Sequence, residues 1–187
     1  MKKLTIITCL LLITTAAFSQ EEDEFETLFG PGTRFSGFGG PWMTFTTING
    51  DFSHMMGGGG GVLLNSSFYF GGYGYGSTNR ISYQGDNMEF GYGGLMTGFI
   101  FNSKKAIHPM VGFQMGWGDI SMENLNITDQ VYVLTPLVEL EMNLTQFFKL
   151  GIGASYRYVS GVDNVGNLKN SDFSGFAGRL SFYFGWF

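Results

Sequence analysis

Leu180-Ser-Phe-Tyr-Phe-Gly-Trp-Phe187 closes the chain on a period of two: Leu180, Phe182, Phe184 and Trp186 share one side of an extended segment, and Ser181, Tyr183 and Gly185 share the other. Alternation of this kind argues for a strand with one apolar face. Read back toward the N-terminus, the same pattern marks eight candidate strands, roughly 34–48, 51–64, 68–76, 88–101, 108–118, 130–143, 147–160 and 173–187. Most reach the ~9–11 residues that a tilted membrane strand needs. The connections after the second, fourth and sixth strands (65–67, 102–107 and 144–146) are short. Those after the third, fifth and seventh (76–87, 119–129 and 161–172) are longer and more polar, while the first, Ile48-Asn49-Gly50-Asp51, is a tight turn.

Where the alternation is clean it separates two kinds of surface. In the sixth strand Tyr132, Leu134, Pro136, Val138, Leu140 and Met142 fall on one face, and Thr135, Glu139, Glu141 and Asn143 on the other. The seventh opposes Leu150, Ile152, Ala154, Tyr156 and Tyr158 to Lys149, Gly151, Gly153, Ser155 and Arg157. In the fifth, Pro109, Val111, Phe113, Met115 and Trp117 oppose His108, Gly112, Gln114, Gly116 and Gly118. The apolar rows are long and end in aromatic rings, as a lipid-facing wall with interfacial girdles would. The polar rows mix glycine with charge, as the narrow interior of a small barrel requires. A soluble sandwich shares the period of two but would place its charges in water. The second to fourth strands are less legible, because Gly57–Gly61 and Gly71-Gly72-Tyr73-Gly74-Tyr75-Gly76 erase the alternation. Their glycines fit strong strand curvature with Tyr69, Tyr73 and Tyr75 lying against it, and no Lys-Ser/Thr follows to suggest a phosphate loop.

The start of the chain is of another kind. Met1-Lys2-Lys3, an uncharged run from Leu4 to Ala17, and Ala17-Phe18-Ser19 before Gln20 predict an export signal cleaved after residue 19. Cys9 lies inside the apolar run instead of at its end, so lipidation is not expected, and the mature chain would hold no cysteine. Removing residues 1–19 takes away two of the ten basic residues and no acid, which moves the net charge from −5 to −7. A nucleic-acid surface is not expected at that charge. After Ala17 no uncharged apolar run approaches the ~20 residues of a spanning helix, so any membrane crossing is by strands. Residues 20–33 then form an acidic leader, Glu21-Glu22-Asp23-Glu24-Phe25-Glu26, read as a solvated tail, with Phe25, Leu28 and Phe29 as a possible docking segment for a periplasmic protein. The barrel is expected over 34–187.

An even strand count, short turns at one end and longer loops at the other are the pattern of bacterial outer-membrane barrels. The mature chain resembles the small eight-stranded outer-membrane barrels, the class of the outer-membrane protein A transmembrane domain. Ser36-Gly37-Phe38-Gly39-Gly40-Pro41, Ile48-Asn49-Gly50, Gly71–Gly76 and Ser155-Tyr156-Arg157-Tyr158-Val159-Ser160-Gly161 also look like those of a group of bacterial barrel proteins, a resemblance that brings no activity with it. The first resemblance implies an all-β, up-and-down antiparallel transmembrane barrel with both termini in the periplasm, contacts with outer-membrane lipids and lipopolysaccharide, and insertion by the barrel-assembly machinery. In such barrels the assembly signal places aromatic and apolar residues at alternate positions counted from the terminal Phe. Here that phase selects Phe187, Gly185, Tyr183, Ser181 and Arg179, whereas the apolar row is Trp186, Phe184, Phe182 and Leu180.

On this reading Glu89, Glu139, Glu141, Lys149, Arg157 and Arg179 project into the lumen. Buried charges persist mainly when paired, and a turn centred on Thr145 sets Glu141 opposite Lys149. Arg157 and Arg179 would need Glu89 or Glu139 across the lumen. The network would be structural or gating, with plugging favoured because eight strands enclose a space that side chains just fill. Trp117, Tyr132 and Tyr158 would mark one membrane interface, and Phe148 and Trp186 the other. No catalytic, metal or cofactor residues are expected: Ser53 and His54 are adjacent in a strand and point to opposite faces, so they build no triad. The chain reads as a non-enzymatic structural, surface-interaction or accessory barrel, with an outer-membrane or periplasmic protein as its candidate partner. A small channel is the alternative reading, and a lipid-modifying enzyme a more remote one.

Overall fold

The computed structural model describes residues 32–187, apart from 80, 84, 85, 123–126, 164 and 165; the side chains of 82, 86 and 127 are also left undescribed. The expectations for the export signal, and for the leader up to residue 31, lie outside this range. From residue 34 on, the chain forms one compact unit, Arg34–Phe187. It comprises β1 (Phe35–Ile48), β2 (Asp51–Leu64), β3 (Phe68–Ser77), a three-residue β4 (Ile81–Tyr83), β5 (Asp86–Ile100), β6 (Ile107–Met122), β7 (Ile127–Asn143), β8 (Phe148–Ser160), a one-turn helix α1 (Asn170–Phe173) and β9 (Gly175–Gly185). Sequence neighbours other than β3 and β4 pair antiparallel, β1 pairs with β9, and β3 pairs with β5. These pairings close an eight-stranded up-and-down barrel, and β4 is a short flap on the edge of β5 above the point where β3 ends. Among the described residues no helix is long and apolar enough to cross a membrane.

Both the first and last strands of the barrel start or finish at one end, called here the terminal end. The turns at this end span 65–67, 101–106 and 144–147; the far end carries the 48–51 turn and the longer connections. The 48–51 turn is built by Asn49 and Gly50, whose positive φ values of 52° and 82° match the right-handed strand twist. Strands β5, β6 and β7 run further toward the far end than the sequence suggests. The extra residues of β6 and β7 keep the period of two, with Ile120, Met122 and Asp129 buried inward and Asp119 and Thr128 exposed outward. Polar residues replace apolar ones on that outer row beyond Trp117 and Tyr132.

The outward rows of β6 to β8 are as read from the sequence. Val111, Phe113, Met115, Trp117, Tyr132, Leu134, Val138, Leu140, Ile152, Tyr156 and Tyr158 are exposed, and the facing rows are buried. From Tyr132 to Met142 the outer row of β7 covers ten residue steps, about 34 Å along the strand and about 25 Å along the normal at the usual ~40° tilt, the height of a lipid-facing band. The glycine-rich strands also resolve. Gly57, Gly59 and Gly61 share the inward phase of β2 with Met55 and Leu63, while Gly72, Gly74 and Gly76 lie on the outer row of β3 with Phe68 and Phe70. The inward glycines are seats for rings. A Cβ on Gly59 would run into the Trp42 indole, and one on Gly112 into the Tyr69 hydroxyl.

Candidate functional site

The lumen holds the densest set of polar groups, in two layers. In the layer nearer the terminal end, Glu139 on β7 and Arg179 on β9 face each other across β8, in register with Gly153 between them. A side chain at 153 would run into Glu139, so the glycine is what lets the two charges meet. Arg179 Nε lies 2.6 Å from Glu139 Oε1 and 2.8 Å from the Ser181 hydroxyl, which itself donates to Glu139 Oε1 at 2.8 Å. The Tyr183 hydroxyl donates to Glu139 Oε2 at 2.7 Å. Both carboxylate oxygens are thus paired in a residue only 4% exposed. Beside this cluster, Lys149 Nζ donates to Glu141 Oε2 at 3.3 Å, and His108 Nε2 lies 3.0 Å from the same oxygen. His108 Nδ1 lies 2.9 Å from the carbonyl of Lys105.

An aromatic column rises from this layer. The Arg179 guanidinium sits 4.2 Å above the Trp42 ring, a cation–π contact. Trp42 touches Tyr75 (centroids 6.0 Å apart), Tyr75 touches Tyr92 (5.3 Å), Tyr92 touches Phe90 (5.2 Å), and Phe90 meets Phe173 edge-on at 5.4 Å. The column ends in α1, which belongs to the β8–β9 connection and turns back into the far mouth. Phe173 is fully buried there. Asp172 ties the helix start by accepting from the Lys169 N–H at 2.8 Å, and its carbonyl accepts from Asn49 N–H at 2.7 Å. Val162 N–H donates to Asn170 Oδ1, Val159 N–H to Ser174 Oγ, and Asn167 N–H to the Tyr83 hydroxyl.

Arg157 fastens this plug. It is 1% exposed, donates through Nε to the Phe173 carbonyl at 2.7 Å and through Nη2 to the Thr47 carbonyl at 3.5 Å, and lies over the Phe90 ring at 5.4 Å. Among the described residues no carboxylate lies within 4 Å of it. The sequence expectation that Arg157 would take a carboxylate across the lumen is therefore replaced by carbonyl and ring contacts, because α1 fills the space a carboxylate would have to cross.

The six expected lumenal charges divide five to one. Glu139, Glu141, Lys149, Arg157 and Arg179 are buried inside. Glu89 is the correction: it is exposed on the outside of β5, paired in register with Ser121. Met88, Phe90 and Tyr92 hold the inward phase of that strand, and Gly91, Gly93 and Gly94 had hidden it. Of the girdle aromatics, Trp117, Tyr132, Tyr158 and Trp186 are more than half exposed on the wall and Phe148 is half-buried, stacked on Phe184 at 4.9 Å. Phe187 packs inward against the core, out of step with Trp186.

The candidate general bases are engaged elsewhere. Ser53 points inward and is buried, while His54 points outward beside Phe45. Thr78 donates its hydroxyl proton to the His54 carbonyl at 2.8 Å, so its oxygen accepts from His54 Nδ1 at 2.7 Å. Among the described residues no three His, Cys, Asp or Glu side chains gather as metal ligands would. Sequence reasoning had not joined His108 to the lumenal network and had no signal for α1. The His108–Glu141 contact was nevertheless accessible from the β6–β7 register, which sets the two residues directly opposite.

No protein-family model matches the chain, and no curated protein matches it. Solved structures do. Neisserial surface protein A is similar over 83% of this chain and 99% of its own, at 15% identity and a TM-score of 0.62. The N-terminal β-barrel domain of Pseudomonas aeruginosa OprF is similar over 81% of this chain and 97% of its own, at 12% identity and a TM-score of 0.61. Ail, the attachment invasion locus protein of Yersinia pestis, solved in complex with the heparin analogue sucrose octasulfate, matches over 84% of this chain and 100% of its own, at 14% identity and a TM-score of 0.53. The fold is that of the small eight-stranded outer-membrane barrels.

Proposed function

We propose that this eight-stranded barrel is a non-enzymatic integral protein of the outer membrane, with both termini in the periplasm, that acts as a structural, surface-interaction or accessory subunit. The observation that carries the reading is the filled lumen. Two ion-paired clusters, an aromatic column and an inserted loop occupy it from one end to the other, so the surfaces left for function are the wall and the far-end loops. The wall has the height and the aromatic margins of a bilayer-embedded band, which supports contact with outer-membrane lipids and lipopolysaccharide. Short turns at the terminal end and longer connections at the far end support an outward-facing far end, as in bacterial barrels generally.

The far-end segments 48–51, 76–87, 119–129 and 161–172 carry seven acids against two bases, Arg80 and Lys169. Ail was solved with a sulfated, polyanionic ligand; the charge balance here repels a polyanion and favours a basic or neutral partner. The partner is a protein of the outer membrane or periplasm, or one that meets the cell surface, and the barrel-assembly machinery inserts the chain.

The test is affinity purification from native outer membranes through a small tag placed after Asn164, which leaves the chain end free. A stoichiometric partner that is lost when the acids of the 161–172 loop are neutralised supports the reading. A barrel recovered alone that conducts ions steadily in planar bilayers overturns it in favour of a channel.

A further inference from the structure

In the terminal half of the lumen, bordered by Glu141 and Arg179 of the ion-paired layer, lies a cavity of about 20 Å³; Trp42, Met110, Gln114 and Phe187 are also among its lining residues. On two of these residues a buried polar atom, Trp42 Nε1 and Gln114 Oε1, finds no hydrogen-bond partner in the protein. One is a donor and the other an acceptor. The charges around them are already matched, Arg179 with Glu139 and Lys149 with Glu141. A neutral occupant that both accepts and donates therefore suits the cavity, whereas an ion would arrive without a counter-charge. The space is above the roughly 10–15 Å³ that one water needs and well below that of a metabolite.

Phe187 lines this cavity. Trp186 N–H is bonded to the Gly37 carbonyl at 3.2 Å and Gly185 N–H to the Phe147 carbonyl at 3.0 Å, which pins the backbone at the rim. Past that point the Phe187 ring turns inward, packs on the core, and lies 4.1 Å from Lys149 Nζ. Toward the far end the way is closed by the aromatic column and Phe173. We propose that Phe187 is the lid of a small closed chamber in the terminal half of the lumen, one that takes water or a neutral solute of about that size and is reached from the terminal end alone. The inward phase of Phe187, opposite to the lipid-facing row that ends in Trp186, is what this role requires.

Cysteine accessibility tests it, since the sequence after Cys9 contains no cysteine. The full chain carrying Cys9→Ser and Met110→Cys is refolded into phosphatidylcholine vesicles and treated with methyl methanethiosulfonate, a small neutral reagent, and the labelling rate is followed by mass spectrometry. Labelling is expected to be slow with Phe187 present, at least tenfold faster with Phe187→Ala, intermediate with Phe187→Leu, and slow again with Phe187→Tyr, which restores a ring. Met55→Cys, in the far half, reports on the other compartment and is expected to stay slow throughout. If Phe187→Ala proves unable to refold, the Phe187→Leu and Phe187→Tyr comparison carries the test. Equal labelling of Met110→Cys whatever stands at 187 overturns the lid, and so does a parallel rise at Met55→Cys, which would mean that the whole barrel had loosened.

Discussion

Converting Glu139 to Gln leaves Arg179 buried against Trp42 with no anion to offset it, and the loss reaches further than one ion pair because Ser181 and Tyr183 also depend on that carboxylate. Removing one member of a buried pair costs about 3–5 kcal/mol. The Glu139→Gln barrel should therefore unfold at clearly lower urea concentration in a gel-shift or fluorescence titration. Adding Arg179→Met should recover much of the loss, since replacing both partners removes the stranded charge; a double variant no better than the single would refute this account. Gly153 belongs to the same unit. Gly153→Val would drive a side chain into Glu139 and is expected to disrupt the pair as thoroughly as the charge change does, by overpacking.

At the scale of elements, the β8–β9 connection behaves as part of the core. Phe173 fills the far mouth, Arg157 holds its carbonyl, and Asn49 and Tyr83 tie the connection to the two neighbouring loops. Phe173→Ala removes a fully buried ring, a change worth about 3–5 kcal/mol in well-packed cores, but the strand ladders do not depend on it. Limited proteolysis should then cut within 161–172 much faster in Phe173→Ala than in the unmodified protein while the barrel fragment stays resistant. Uniform digestion of the whole chain would mean that the plug and the barrel unfold together. Arg157→Met should release the same segment, because the carbonyl of Phe173 would be left buried without a donor.

For the whole molecule, closure at both ends sets the expected electrical behaviour. The unmodified protein is expected to be silent in planar bilayers. Opening the far mouth by Phe173→Ala alone should leave it silent, because the ion-paired layer and Phe187 remain below. Steady conductance from Phe173→Ala alone would show that the terminal half is not a barrier.

The strand count, the up-and-down order, the inward facing of Glu139, Glu141, Lys149, Arg157 and Arg179, and the exposed rows of β6 to β8 were legible in the sequence, because a strand alternates its side chains with a strict period of two and a narrow lumen leaves only one side for charge. Glu89 was misread where glycines interrupt that period: a residue without a side chain reports no face, and only the pairing of β5 with its neighbours set the phase. The partners of each lumenal charge were not legible either. They depend on which residues stand level across the barrel, and that follows from the stagger of strands distant in sequence. Glu139 thus reaches Arg179 over Gly153, while Arg157 loses any carboxylate to an inserted turn of helix. The alternation already sets Phe187 in phase with Tyr183 and Ser181, but its packing beside Lys149 came from the tertiary structure, since it depends on where the chain end is pinned to β1 and to the 144–147 turn. The alternation of the chain by itself determined that there would be a barrel with a polar interior and an apolar wall; the closed stagger of its strands decided which charges pair, what fills the mouth, and which residue shuts the terminal end.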